Sequence, residues 1–456
     1  MSEPAAQLLL RDAEVDGVVG DVLLGDGVIV ELGASRARAG TVIDCAGAAV
    51  IPGLHDHHCH LLAMAAALDS VHCGPPAVRD AAGMQRALAA GSTRGGWLRG
   101  IGYDESVAGV LDRHVLDRLA PNTPTRVQHR SGALWVLNSA AIDALDLAGV
   151  GVEGIGRDAA GHPTGELWRL DGWLRDRLGD DWVPDLAAVS RTLAGYGITG
   201  VTDATPELDG DAVRRLTGGA VQQRLCLLGA SGAVEGASLG PFKIVVADHA
   251  LPSWDALAAQ IRAVRPRPVA LHSVTRVSLV LILAVLGEVG SVRGDRIEHA
   301  AVAPPELVGQ LRELGLTVVT QPSLVAARGA DYLDRTDAED LEHLWPWRRL
   351  DEAGVPVGCS SDAPYGDADP WASIASAVNR RAADGRTVNG GERVSATRAL
   401  SAYLTRPLDP GGRPRQIVPG EPADLAVLDR PLRRVIDDPA SVRVRATLIG
   451  GRVAAQ

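Results

Sequence analysis

The run His55-Asp56-His57-His58-Cys59-His60 concentrates four imidazoles in six residues, just after Pro52-Gly53-Leu54. An extended chain puts alternate residues on one face, so His58 and His60 can point together and grip one divalent cation. The same alternation turns His55, His57 and Cys59 the other way, toward packing. A His-x-His pair alone is equally the mark of an exposed polar strand end.

Four further residues of ligand type follow at telling intervals. From Lys243 to His272 is 29 residues, from His272 to His299 is 27, and from His299 to Asp362 is 63. One βα unit of a parallel barrel takes about 30 residues. These steps therefore equal one unit, one unit and two, with the run TVVTQPS filling the gap and offering neither imidazole nor carboxylate. Taken singly, each has a plain structural role: buried hydrogen-bonded histidines, a surface lysine, a helix N-cap at Asp362. Together they place ligand-type side chains at the ends of four separate strands, facing the His-x-His pair of a fifth.

The elements that must position them can be read from the same sequence. Between Gly53 and Leu408, short β-rich apolar runs alternate with helical patterns such as SWDALAAQIRAV and PPELVGQLRELG, as in βα units around a parallel sheet. Eight strands are predicted: LHDHHCHL, RVQHRSG, ITGVTDAT, FKIVVAD, VALHSV, RIEHAAV, TVVTQPS and VGCSSDAP. Eight is the number that closes a TIM barrel, whose catalytic groups gather at the C-terminal strand ends. The predicted fold is α/β, a TIM (β/α)8 barrel over 53–408. Residues 1–52 and 409–456 read as short strands with tight turns and are expected to join into one small β-sandwich-like domain.

Composition narrows the function classes. The chain has 456 residues, 46% hydrophobic, with a formal net charge of −11 and interspersed signs, so a nucleic-acid partner is not expected. The N-terminal MSEPAAQLLLRDAEVDG lacks the layout of a secretory signal, and no apolar run reaches membrane-spanning length. A cytoplasmic protein acting on a small molecule is expected, with a homo-oligomer left open. The five cysteines are odd in number and include no CxxC pair, so neither a disulfide framework nor a zinc ribbon is indicated.

The segments PGLHDHHCHL, FKIVVAD, VALHSV, RIEHA and CSSDAP, with GEPADLAVLD and a closing TLIGGRV, resemble the amidohydrolase superfamily. The similarity is to the subgroup, amidohydrolase family 3, that includes N-substituted formamide deformylases. RSGALWVLNSAAI, GIGRDAAGHPTGEL, GITGVTDA and LWPWRRLDEAGVPV also read like that subgroup. The resemblance implies His58 and His60 on one metal, Lys243 carboxylated to bridge two ions, His272 and His299 on the second, and Asp362 as ligand and proton shuttle. A divalent metal, one or two ions per chain, is the expected cofactor: the imidazole and oxygen donors point to zinc, with iron, manganese or nickel fitting a similar shell. The implied reaction is hydrolysis of an amide, formamide or cyclic amide C–N bond. Lactone hydrolysis, deamination or decarboxylation by the same centre, and a non-catalytic scaffold, are the alternatives.

The chain departs from the subgroup's pattern at Gly132-Ala133, at Asp248-His249 and at Ser273-Val274-Thr275-Arg276. These departures bear on the substrate more than on the chemistry. Arg276, His129 and Trp135 are the predicted substrate contacts, each with a structural alternative: an ion pair with a nearby carboxylate, a hydrogen-bonded strand-end histidine, a core tryptophan. Asp203 is expected either to fix the tautomer of a ligand histidine or to form a turn before Ala204-Thr205-Pro206.

Overall fold

The strands that carry the predicted ligands are buried along most of their length, polar residues included, as a parallel sheet covered on both faces requires. In the computed structural model, which describes residues 7–33, 39–75, 77–178, 184–248 and 250–456, these strands form two parallel sheets. One holds β1 (Leu54–Cys59), β2 (Ile198–Asp203) and β3 (Arg224–Leu227), with the short strand Ala237–Leu239 at its edge. The other holds, in chain order, β4 (Phe242–Val245), β5 (Val269–Ser273), β6 (Arg296–His299), β7 (Thr317–Thr320) and β8 (Val357–Cys359). Every pairing in both sheets is parallel.

Backbone hydrogen bonds join the sheets at both margins. Gly240 N donates to Leu227 O at 2.9 Å and Lys243 N to Leu228 O at 3.3 Å, linking β3 to the start of β4. A Cβ at Gly240 would lie 2.6 Å from Leu228 and 2.8 Å from Cys226, so glycine permits this close approach. At the other margin Asp362 N donates to His58 O at 2.8 Å, and His60 N to Ala363 O at 2.9 Å.

The helices between strands follow from ordinary signals. After β5, Thr275 caps Arg276–Val289 by a reciprocal bond with Ser278, satisfying amides that the first turn leaves open. Leu279, Ile282, Leu283 and Leu286 then recur at helical spacing and are buried. At the N-terminal strand ends Asp295, wholly buried, accepts from Arg265 through both oxygens at 2.7 Å and from the Val269 and Val292 amides at 2.8 Å. Removing this carboxylate strands a guanidinium and two amides at once. Asp295→Ala is expected to cost about 3 kcal/mol or more in urea unfolding, while the opposite strand ends, which carry His299 and Asp362, stay in place. A cost within about 0.5 kcal/mol would show that the bridge is not structural.

Two further sheets come from the chain ends. Val28–Gly33, Val18–Gly25, Leu8–Val15 and Thr41–Asp44 form one, while Arg452–Ala455, Val444–Ile449, Leu425–Leu428 and Val50–Pro52 form the other. Leu10, Val22, Leu24 and Ile29 of the first share one apolar cluster with Leu425, Val427 and Leu448 of the second.

By its internal contacts the chain divides into two compact units, Met1–Leu61 with Leu186–Gln456, and Leu62–Asp185. The predicted boundaries at 52/53 and 408/409 both fall within the first. The second has its own six-stranded sheet, which includes Leu98–Tyr103, Thr125–His129 and Leu134–Leu137, and its own apolar clusters.

This arrangement corrects one strand assignment. The segment RVQHRSG supplies Thr125–His129 to the sheet of the second unit, not a member of the parallel series. Its place in the count is taken by β3, RLCL, which pairs with β2. Four residues are too few for periodicity to register. Because one strand leaves and another enters ahead of Lys243, that residue still falls on the fourth. No described helix is long and apolar enough to cross a membrane.

Candidate metal centre

His58 and His60 lie at the C-terminal end of β1, and Asp362 follows β8, where the backbone bonds across the margin hold all three in register. Asp362 Oδ1 stands 3.2 Å from His60 Nε2 and 3.5 Å from His58 Nε2. One ligand atom from each of the three lies within 4.8 Å of the others. The His58 ring centroid is 5.0 Å from that of His299, and the His299 centroid is 4.6 Å from that of His272. Lys243, buried on β4, interacts electrostatically with His58, His272 and His299. The structure thus brings the six sequence-predicted residues into one cluster.

The cluster is chemically suited to a cation. Burial, reinforced by the nearby Lys243, pushes His58 down to about 3, so its imidazole is neutral. Its Nδ1–H donates to the carboxylate of Glu298, which leaves a lone pair on Nε2. That lone pair faces Asp362 Oδ1. Burial opposes the Asp362 charge, but the hydrogen bond from His60 holds its carboxyl well below the usual range. Two lone pairs at this separation repel unless a positive charge stands between them. A divalent cation with nitrogen and oxygen preference meets that need.

His299 is held in the same way. Gln321 Nε2 donates to Val319 O at 3.1 Å and to Ser360 Oγ at 2.9 Å, so its Oε1 accepts the His299 Nδ1–H at 2.7 Å. The free nitrogen is again Nε2, as a metal ligand requires. Burial lowers His272, His299 and Lys243 from their ordinary values. His299 and Asp362 also take φ values of 72° and 56°. Non-glycine residues rarely occupy this left-handed region, and such strain collects at functional positions.

Three supporting residues were not foreseen. Glu298, fully buried, accepts from His58 and from Arg296 Nε at 2.6 Å. Gln321 orients His299. Asp56 accepts the amides of His58 and Ser361 at 3.1 Å and the Ser361 hydroxyl, tying β1 to the turn that bears Asp362. Burial pushes its carboxyl up to about 6, against the pull of those bonds. Glu298 adjoins a predicted ligand in RIEHA, on what strand alternation makes the opposite face, so no sequence signal singled it out.

The remaining predictions resolve differently. His55 Nε2 meets Thr202 Oγ1 at 2.9 Å and His57 Nε2 meets Thr405 Oγ1 at 2.8 Å, on the face turned from His58 and His60. Asp203 accepts the Leu61 amide at 2.8 Å and the Thr205 amide at 3.0 Å. That is its turn-forming alternative, not a bond to a ligand histidine. Arg276 Nε donates to Asp340 at 2.6 Å, and Arg276 also faces Glu339 at 3.4 Å, the ion pair of its structural alternative. In the second unit, His129 bonds Ser131 at 2.7 Å and Glu105 at 3.2 Å. Buried Trp135 donates to Asp171 at 2.8 Å between the guanidinium groups of Arg99 and Arg126. His249 lies outside the described residues. All five cysteines are buried and free.

An α/β fold with imidazoles, a carboxylate and a buried amine gathered at parallel strand ends is the arrangement of a metal-dependent hydrolase. The family model described as "Amidohydrolase family" matches residues 41–455, and the chain belongs to that family. It is 28% identical to N-substituted formamide deformylase of Arthrobacter pascens, over 89% of this chain and 88% of that protein. It is 24% identical to the putative amidohydrolase YtcJ of Bacillus subtilis, over 78% and 79%. Among solved structures, an uncharacterized metal-dependent hydrolase from Pyrococcus horikoshii aligns with a TM-score of 0.73 at 17% identity, covering 96% of this chain and 99% of that one. N-isopropylammelide isopropylaminohydrolase from Burkholderia multivorans aligns with a TM-score of 0.52 at 18% identity, covering 99% and 98%.

Proposed function

We propose that the protein hydrolyses the C–N bond of an N-substituted formamide or a closely related small amide. The reaction uses one or two divalent ions, zinc by donor type, held by His58, His60, Lys243, His272, His299 and Asp362. The observation that carries this reading is the convergence of His58 Nε2 and His60 Nε2 on Asp362 Oδ1, at 3.5 and 3.2 Å, in a donor set suited to one cation. The choice of a formamide is supported by the name of the Arthrobacter relative.

In this reading β1 to β8 are one TIM (β/α)8 barrel, supported by the hydrogen bonds at both sheet margins. The terminal sheets, 1–52 with 409–456, are a β-sandwich-like domain, supported by their common apolar cluster. The protein works in the cytoplasm on a small molecule, without nucleic-acid or membrane partners.

A divalent ion held by these residues would supply an acidified water and polarise a carbonyl. Asp362, ionised and beside His60, accepts the water's proton and returns it to the leaving nitrogen. Glu298 and Gln321 fix the tautomers of His58 and His299 throughout. In this reading Arg276, His129 and Trp135 keep the partners described above.

Lys243 is proposed to carry a carboxyl group on Nζ. Burial favours its neutral amine, the form that takes up carbon dioxide. Lys243→Ala is expected to lower the metal content by at least one ion per chain, measured by elemental analysis of protein purified without chelator. Unchanged metal content would remove Lys243 from the ligand set. The function itself is tested by NMR detection of formate and amine from N-substituted formamides, compared with cyclic amides, lactones and aminated heterocycles. At least tenfold higher kcat/KM for a formamide is expected, and preference for a lactone would sink the proposal.

A further inference from the structure

The helix Arg276–Val289, RVSLVLILAVLGEV, carries charge only at Arg276 and Glu288, near its two ends. Its inner positions Leu279, Ile282, Leu283 and Leu286 are buried against the chain. The outer positions are apolar too: Val277 is 60% exposed and Val280 47%, and Ala284 and Gly287 continue the exposed stripe at the spacing of one helix face. A surface helix ordinarily turns charged and polar residues to water. The neighbouring helix Trp254–Val264 does so with Asp255, Gln260 and Arg262, and Pro305–Glu313 with Glu306, Gln310 and Arg312. A helix that is apolar all round belongs in an interior.

Gly287 is a second, independent sign. Glycine inside a helix is less favourable than alanine, and a Cβ here would meet nothing within 4 Å among the described residues. The described residues therefore give no reason for glycine, whereas close approach by another backbone does.

The order of the residues indicates which backbone. Laid antiparallel on a twofold-related copy of itself, with the axis level with Ile282, the helix sets Val277 opposite Gly287 and Val280 opposite Ala284, the larger side chain meeting the smaller each time. The same register sets Arg276 opposite Glu288, so opposite charges close both ends of the stripe. Within their own chain Arg276 stays bonded to Asp340, and Glu288 to Arg262 and Trp254, so across the pair they act as rim charges that fix register. Trp254, 37% exposed beside Glu288, widens the apolar face. A twofold interface needs such self-complementarity, because one patch serves both sides.

We propose that the protein forms a twofold homodimer by antiparallel packing of Arg276–Val289 on the same helix of a second copy.

The test is sedimentation velocity of the metal-loaded full chain at micromolar concentration, where twice the chain mass is expected. Val280→Glu sets two like charges near the axis, at a position already open to solvent, and should raise the dimer dissociation constant about a hundredfold or more. Gly287→Gln fills the space left for Val277 with a better helix former, should weaken the dimer likewise, and serves if the first variant fails to fold. Because the five native cysteines are buried, mild oxidation of Val280→Cys protein mixed with Ala284→Cys protein should give linked pairs faster than either protein alone. A monomeric unmodified protein would overturn the proposal and leave this face to a different partner. So would a dimer undisturbed by both substitutions, which would place the contact elsewhere, and so would equal cross-linking in mixed and unmixed samples, which would deny the register. Mass is read without substrate, so its outcome is independent of whether the histidine centre hydrolyses a carbon–nitrogen bond.

Discussion

Asp362→Asn is expected to reduce kcat by about 10³-fold, within the range that general acid–base groups contribute. The amide is nearly isosteric with the carboxyl group, and asparagine tolerates left-handed backbone as well as aspartate does. The φ of 56° at this position therefore need not change. What is lost is an anion that can accept a proton. The bonds from Asp362 N to His58 O and from His60 N to Ala363 O are main-chain and survive, so the melting temperature should stay close to that of the unmodified protein. The check is formate release under saturating substrate, with circular dichroism to verify the fold. Activity above about one tenth of the original would mean that another group moves the proton.

Replacing Glu298 has the second largest expected effect, and it falls on stability and metal affinity together. Glu298 is wholly buried between Arg296 and His58. Burial opposes its charge, but Arg296 and His58 hold its carboxyl well below the usual range. Glu298→Gln removes that charge and leaves the Arg296 guanidinium buried without an anion. Breaking one partner of such a pair costs about 3 to 5 kcal/mol, a fall in Tm of about 3 to 5 °C for a chain of this length. The bond that selects the His58 tautomer weakens as well, for which losses of about 10- to 100-fold in metal affinity are typical. Thermal melts and chelator competition measure the two separately. Both quantities unchanged would mean that Glu298 neither balances Arg296 nor orients His58.

These two residues mark what the sequence discloses and what it hides. Asp362 could be found because ligand-type side chains recur with the period of a βα unit, and that period survives an error in naming one strand. Glu298 could not, because alternation along a strand puts neighbours on opposite faces, and a reading that chose His299 had to discard the residue before it. The structure uses both. The left-handed backbone at His299 breaks the alternation at the strand end, so Glu298 contacts His58 while His299 still joins His272. Gln321 was hidden for a different reason, since a side-chain amide is seldom a metal ligand and acts here through the histidine it orients. The neighbour of β1 was misassigned because of the intervening chain, since its partner is β2 and not the next strand-like segment. RVQHRSG has the composition of a strand, but its neighbours in sequence fold into another sheet, and β3 is too short to announce itself.

The pairing of β1 with strands encoded far downstream has a consequence for how the protein is made. Asp56 is bonded to Ser361, 305 residues later in the chain. At a synthesis rate of about 5 to 20 residues per second, roughly 15 to 60 s separate their emergence from the ribosome. Leu62–Asp185, with its own sheet, is finished within that interval, while β1 waits without either parallel neighbour. During the wait the imidazoles of His58 and His60 are borne by a nascent segment that cannot yet assemble their remaining partners. Contacts of such long range are closed late and slowly. Capture of the cation thus becomes one of the last events in maturation, and the ion that is installed is selected by whatever the cell supplies when Asp362 arrives.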